Sequence, residues 1–177
     1  MSHHPGYPFY SIKNQFIMKQ KLFFVLFALL FWGVGAQRLV GQTLGTNFAG
    51  SNAITADKNG KVYTWGNGSS GQLGNNSTTN STVPVDISSY GDLSGKTIVA
   101  VAGGSSYSIA LDDAGKVYTW GYNYSGQLGN NSTTTSLVPV DISSYGDLSG
   151  KTIVAVSAGA QHCIALDDAG EGLYLGV

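Results

Sequence analysis

The chain has a single cysteine, Cys163, so no disulfide can form within it. Stability must then come from packed secondary structure. Cys163 sits inside an apolar alternation and reads as a small buried hydrophobe, with a reactive thiol as the rival reading. Charge is scarce too: Asp, Glu, Lys and Arg make up 11% of 177 residues, for a formal net charge of −1. Past residue 36, Arg38 and five lysines face nine Asp and one Glu, and six minus ten gives −4. Duplex nucleic acid is bound by lysines and arginines that displace counterions, so this balance argues against it as a partner. No Asp-Xaa-Asp-Xaa-Asp-Gly loop, zinc-ligand spacing, phosphate loop or nucleophile elbow is present. No catalytic, cofactor-binding or metal-binding residue is therefore expected. His3 and His4 stand without further ligands, and two adjacent histidines do not make a site.

Long hydrophobic runs are absent but for one. Lys19 and Lys21 precede apolar residues 22–34, and the run ends at Val34-Gly35-Ala36. Fifteen residues, 22–36, fall short of the roughly 20 needed to span a bilayer. Basic start, short apolar stretch and small residues at the end form the layout of a secretory signal. Residues 1–36 are expected to be an N-terminal extension and signal peptide with a hydrophobic signal helix, and residues 37–177 the mature domain, placed in the periplasm, at the cell surface or outside the cell. An uncleaved anchor is the rival; with cleavage no stable membrane span is left. Met18-Lys19-Gln20-Lys21 is itself a typical signal start, so either Met1 or Met18 is the true beginning.

What is abundant is repetition. Residues 83–101 recur unchanged as 138–156, an offset of 55. Lys61-Val62-Tyr63-Thr64-Trp65-Gly66 returns as Lys116-Val117-Tyr118-Thr119-Trp120-Gly121, and Gly71-Gln72-Leu73-Gly74 as Gly126-Gln127-Leu128-Gly129. A third copy starts at Ser157 and changes composition after Gly170. Units of this length bury a core by stacking.

Each unit reads as four short strands. In the second copy these are residues 98–103, 106–111, 116–121 and 137–142, with Asp112-Asp113-Ala114-Gly115 as a tight turn. Tyr107, Ile109 and Leu111 share one side of their strand; Lys116, Tyr118 and Trp120 oppose Val117 and Thr119 on theirs. Pro139, with Pro84 in the preceding copy, marks an edge strand, because proline cannot donate to a ladder. Residues 48–57 read as a degenerate start of the first copy. With 25 glycines and β-branched runs, a helical repeat is excluded. The expected fold is all-β, a partial β-propeller of four-stranded antiparallel blades.

The run Gly115-Lys116-Val117-Tyr118-Thr119-Trp120-Gly121-Tyr122-Asn123-Tyr124-Ser125-Gly126-Gln127-Leu128-Gly129, preceded by Val101-Ala102-Gly103 and Tyr107-Ser108-Ile109-Ala110-Leu111, resembles the regulator of chromosome condensation type 1 (RCC1-like) repeat. That pattern has histidine where Tyr107 stands, and His162 fills the position in the third copy. The resemblance covers residues 44–176, about two and a half repeats, whereas family propellers resemble seven blades. It implies a protein-binding scaffold. Related proteins include a nuclear exchange factor for a small GTPase and secreted inhibitors that cap an enzyme with loops.

Trp65 and Trp120 are expected as wedges in equivalent buried seams between blades, each indole N–H reaching a loop carbonyl. Gly66, Gly71, Gly74, Gly121, Gly126 and Gly129 are expected at positive φ or close approaches. Leu73 and Leu128 pin the loop inward, and Gln72 and Gln127 bond its backbone. His162 with Asp167 and Asp168 offers a relay, yet the aspartates fill a turn that also exists in the copy lacking the histidine. Tyr90, Tyr122, Tyr124 and Tyr145 lie in connections, either as contact residues or as cover for blade edges. Asn67-Gly68-Ser69, Asn75-Asn76-Ser77 and Asn76-Ser77-Thr78 are acceptor sequences for N-glycosylation in a suitable pathway.

The expected function is a non-catalytic, secreted or surface protein-binding or scaffold module with an unidentified protein partner and self-association through open blade edges. The alternatives are a secreted enzyme inhibitor acting through propeller loops and a fragment of a larger repeat protein. An enzyme is the competing class.

Overall fold

A computed structural model describes residues 51–175. The signal segment, the boundary at residue 37, His3 and His4 and the alternative starts lie outside the described residues. Among the described residues, ten strands form three antiparallel sheets. The first blade holds β1 (Asn52–Ala56), β2 (Val62–Gly66) and β3 (Ser81–Asp86). The second holds β4 (Ile98–Gly103), β5 (Tyr107–Asp112), β6 (Val117–Gly121) and β7 (Ser136–Asp141). The third holds β8 (Ile153–Ala158), β9 (Cys163–Asp167) and β10 (Gly172–Leu175). Within each blade, strands follow in chain order. The architecture is all-β, as the alternation of residues 98–142 requires, and among the described residues only the second blade has four strands.

Asn52–Ala56 is a regular strand paired along its length with Gly66–Val62, where the sequence looked degenerate. Ile54 supplies the buried side chain that a half-buried strand needs, and its small neighbours fit the sheet,. Both prolines sit on edge strands, Pro84 in β3 and Pro139 in β7. The ladder shifts register between Thr64 and Gly66 and again between Thr119 and Gly121. The extra residues lie on the edge strands, 82–84 opposite Trp65 and 137–139 opposite Trp120, and a bulge bends the strand that carries it.

The blades stack through two cores built from repeat-equivalent residues. Ile54, Val62, Ile87 and Leu93 of the first copy meet Ile98, Val101, Ala110, Tyr118 and Trp120. One offset later, Ile109, Val117, Ile142 and Leu148 meet Ile153, Ala165, Leu173 and Leu175, together with Tyr107, Leu111 and Cys163. The alternation in β5 thus sends Ile109 and Leu111 to one neighbour and Ala110 to the other. Covered on both sides, β5 and β6 are buried throughout.

The connections between copies contain short 3-10 turns, Gly91–Leu93 and Gly146–Leu148, that the sequence did not signal. The first covers the edge of β7: the Asp141 N–H donates to Asp92 Oδ2 at 2.8 Å. Pro139 is buried as a result, while its counterpart Pro84 is exposed. An edge strand closed in this way is withdrawn from pairing with other chains.

Candidate functional site

Between the first two blades the loop of residues 67–80 turns back so that Gln72 places its carbonyl in the seam. Trp120 Nε1 and Ser108 Oγ both donate to it at 3.0 Å, and Asn52 Nδ2 donates to Ser108 Oγ at 3.1 Å. The Trp120 ring is fully buried and lies over Gly74, where a Cβ would stand 2.6 Å from Nε1. Gly74 also has φ of +72°, so close approach and backbone conformation both demand glycine. Leu73 and Leu128 are buried, and their carbonyls accept from Thr64 Oγ1 at 2.7 Å and Thr119 Oγ1 at 2.8 Å. Gln72 and Gln127 accept through Oε1 from the Ser70 and Ser125 amides, at 2.8 and 3.0 Å. Gly66, Gly71, Gly121, Gly126 and Gly129 all have positive φ.

Trp65 differs from Trp120. Its ring is only part-buried, because among the described residues no preceding loop lies over it as residues 67–80 lie over Trp120. The seam positions of the two rings are equivalent in the repeat and unequal in cover. In the third copy Leu175 takes the tryptophan position against the second blade.

The four candidate tyrosines fall at opposite ends of the strands. Tyr90 and Tyr145 precede the two 3-10 turns, Tyr90 partly buried against the first core and Tyr145 exposed. Tyr122 and Tyr124 stand at the other end, their ring centroids 4.9 Å apart, with Tyr124 72% exposed. Asn123 between them is buried and organises the whole loop. Its Nδ2 lies within 2.9–3.1 Å of Asn130 Oδ1 and of the Ser132 and Thr134 carbonyls, and its Oδ1 accepts from the Leu128 amide at 2.9 Å. The first copy has Gly68 there, and Asn80 Oδ1 holds the Gly68 amide at 3.0 Å instead.

Charge is segregated in the same way. Every Asp, Glu, Lys and Arg among residues 51–175 lies in five stretches: 57–61, 86–96, 112–116, 141–151 and 167–171. Antiparallel order puts all five at one end of the blades. At the opposite end, loops 67–80, 104–106, 122–135 and 159–162 carry none. This pattern was readable in the sequence, since residues 62–85 and 117–140 hold no charge, but it acquires meaning only when the strands fold back. His162 lies at the uncharged end and Asp167 and Asp168 at the charged end, separated by β9, roughly 16 Å at ~3.3 Å per residue. The relay is not assembled.

Part of the charged end is paired internally. Asp112 Oδ2 accepts from the Tyr118 hydroxyl at 2.8 Å, and burial followed by this carboxylate pushes the phenol up. In the third copy Leu173 replaces the tyrosine, and Lys151 Nζ takes Asp167 Oδ2 at 2.7 Å and Glu171 as well. The two bonds hold the lysine up, and Lys151 holds the Asp167 carboxyl down. Cys163 is buried, which pushes its thiol up to about 12. Among the described residues no group of three or more His, Cys, Asp or Glu could hold a metal ion.

Residues 59–111 and 114–166 match the regulator of chromosome condensation (RCC1) repeat, and 98–127 match a second description of it. The chain belongs to the RCC1 repeat family. Among curated relatives it is 34% identical over 143 residues to the human E3 ubiquitin-protein ligase HERC2, covering 81% of this chain and 3% of that one. It is 37% identical over 111 residues to the ultraviolet-B receptor UVR8 of Arabidopsis thaliana, covering 63% and 24%. Solved RCC1-type structures share the fold: human WBSCR16 at a TM-score of 0.61, with 26% identity over 71% of this chain and 31% of that one. Prp20p of Saccharomyces cerevisiae, described with its binding to Gsp1p and histones, gives 0.60, 25% identity, and coverage of 73% and 31%. The chain thus spans a minor part of each RCC1 relative.

Proposed function

We propose that this chain is a non-catalytic, extracytoplasmic protein-binding or scaffold module. The observation that carries the reading is the division of labour among its residues. Trp120 and the repeated glycine, glutamine and leucine positions are consumed in holding the blades and their loops together, whereas the strand ends display unrepeated or exposed side chains. The charged end holds five lysines against nine aspartates and one glutamate, and five minus ten gives −5. A protein partner with a basic surface docks there, steered by that field. The RCC1 relative Prp20p, described with its binding to Gsp1p and histones, supports the reading by analogy. Export rests on residues 19–36 and their signal layout. Self-association rests on the open face of the third blade, where Val154, Leu166 and Tyr174 are exposed,.

Immobilised chain should capture and cross-link a partner whose retention falls as salt rises and falls again in Asp147→Asn/Asp168→Asn. Retention indifferent to both would defeat the docking reading. Residues 1–40 fused to a phosphatase active only after export should give activity, and light scattering should find species heavier than one chain.

A further inference from the structure

We propose that the uncharged end of the blades, centred on the Tyr122–Tyr124 loop, binds neutral carbohydrate. This goes beyond the protein-binding reading and uses the opposite end of the molecule. A surface without a formal charge gives no ionic attraction to nucleic acid, acidic or basic peptides or lipid headgroups. Its recognition must rest on hydrogen bonds and stacking. Sugars ask for both: hydroxyls that donate and accept, and pyranose faces of polarised C–H groups that lie well on the negative face of an aromatic ring.

The loop provides both in a fixed arrangement. Tyr124 is 72% exposed and braced by Tyr122, ring centroids 4.9 Å apart. Exposed Asn131, Ser132 and Thr133 stand on the same loop, offering amide and hydroxyl partners. Asn123, itself fully buried, ties the loop through its bonds to Asn130, Ser132, Thr134 and Leu128. A platform ordered before binding loses little entropy on binding. The corresponding positions of the first copy are Asn67, Gly68 and Ser69. The pair of rings is thus a departure from an otherwise close repeat, placed where it has no part in either core.

The test is retention of the full chain by cellulose, starch, xylan, mannan and chitin, with polygalacturonate as the acidic arm. A high-mannose glycoprotein, intact and enzymatically deglycosylated, distinguishes a glycan on a protein from a free polymer. Retention on at least one neutral glycan is expected, unchanged from low to high salt. It should weaken about tenfold in Tyr124→Ala, the worth of one aromatic contact, and be unaltered in Tyr145→Ala at the charged end. Tyr124 is exposed enough that its truncation leaves the fold in place, which circular dichroism of the variant checks. No retention on any neutral glycan, equal retention of Tyr124→Ala, or a salt-sensitive preference for polygalacturonate overturns the proposal. Retention of the deglycosylated protein alone overturns it too and points to a protein partner.

Discussion

The two seams between blades occupy equivalent repeat positions and solve the same problem with different chemistry. In the first, an indole fills the gap and two polar groups converge on the Gln72 carbonyl, which accepts from Trp120 and Ser108. In the second, Leu175 replaces the indole, and Cys163 Sγ approaches the Gln127 carbonyl at 3.7 Å. Tyr107 compensates there, its hydroxyl lying 2.9 and 2.6 Å from the Gly159 and His162 carbonyls, with one proton to donate between them,. The first seam carries a cost: among the described residues Asn52 Oδ1 and Gln72 Nε2 are buried with no hydrogen-bond partner, and such groups are expensive to desolvate. Repeat position fixes where a seam residue points. The local side-chain set decides how tightly neighbours must close around it.

Breaking the first seam should have the largest effect. Trp120→Ala is expected to cost about 3–5 kcal/mol in urea unfolding, as a fully buried large side chain, against about 1–2 kcal/mol for the half-covered Trp65. Equal losses would mean that Trp65 is buried as deeply as its counterpart. Next come the paired glycines. Gly74→Ala puts a methyl 2.6 Å from Trp120 Nε1, whereas Gly129→Ala meets Leu175 Cβ at 3.5 Å. Both residues have positive φ, worth ~1–2 kcal/mol each, so the excess cost at Gly74, about 1–3 kcal/mol, measures the overpacking alone.

Tyr118→Phe should cost about 1–2 kcal/mol by leaving Asp112 Oδ2 unpaired, a loss the third copy avoids by using Lys151. The pH dependence of that replacement has a definite sign. Asp167 is held low, so its contribution is present above the unfolded value of about 3.9 and lost as pH falls through its folded value. Lys151 is held high, so its share is lost as pH rises past about 10.4 and through its folded value. The urea midpoint difference between wild type and Lys151→Met should therefore be flat between those limits and shrink outside them. Smallest in free energy is the thiol: with Cys163 at about 12, alkylation at pH 8 should be slower by about a thousandfold than for an ordinary cysteine. Ready labelling of the folded chain would show the second seam to be open.

Much of the blade was legible because its signals are local. The apolar run at Ile98–Gly103, the Asp-Asp-Ala-Gly turn and the proline of an edge strand each follow from a few neighbouring residues. The strand Asn52–Ala56 was obscured by small polar side chains that pair well once Val62–Gly66 lies beside them. The closing of the β7 edge was invisible, since it depends on Asp92 meeting an amide 49 residues away. The candidate tyrosines looked alike in sequence, and the antiparallel return of the strands sent them to opposite ends.

By itself the sequence determined the repeat, its period, the alternation that makes strands, the positions where only glycine serves and the charge-free stretches. These depend on residue type and spacing, which act over a few bonds. Tertiary structure alone decided that Trp120 is sealed while Trp65 is not, that the charge of residues 51–175 gathers at one end, and that Asn123 ties down the loop from which Tyr124 projects. Cover, convergence and field are properties of residues far apart in the chain, and only the stacking of blades brings those residues together.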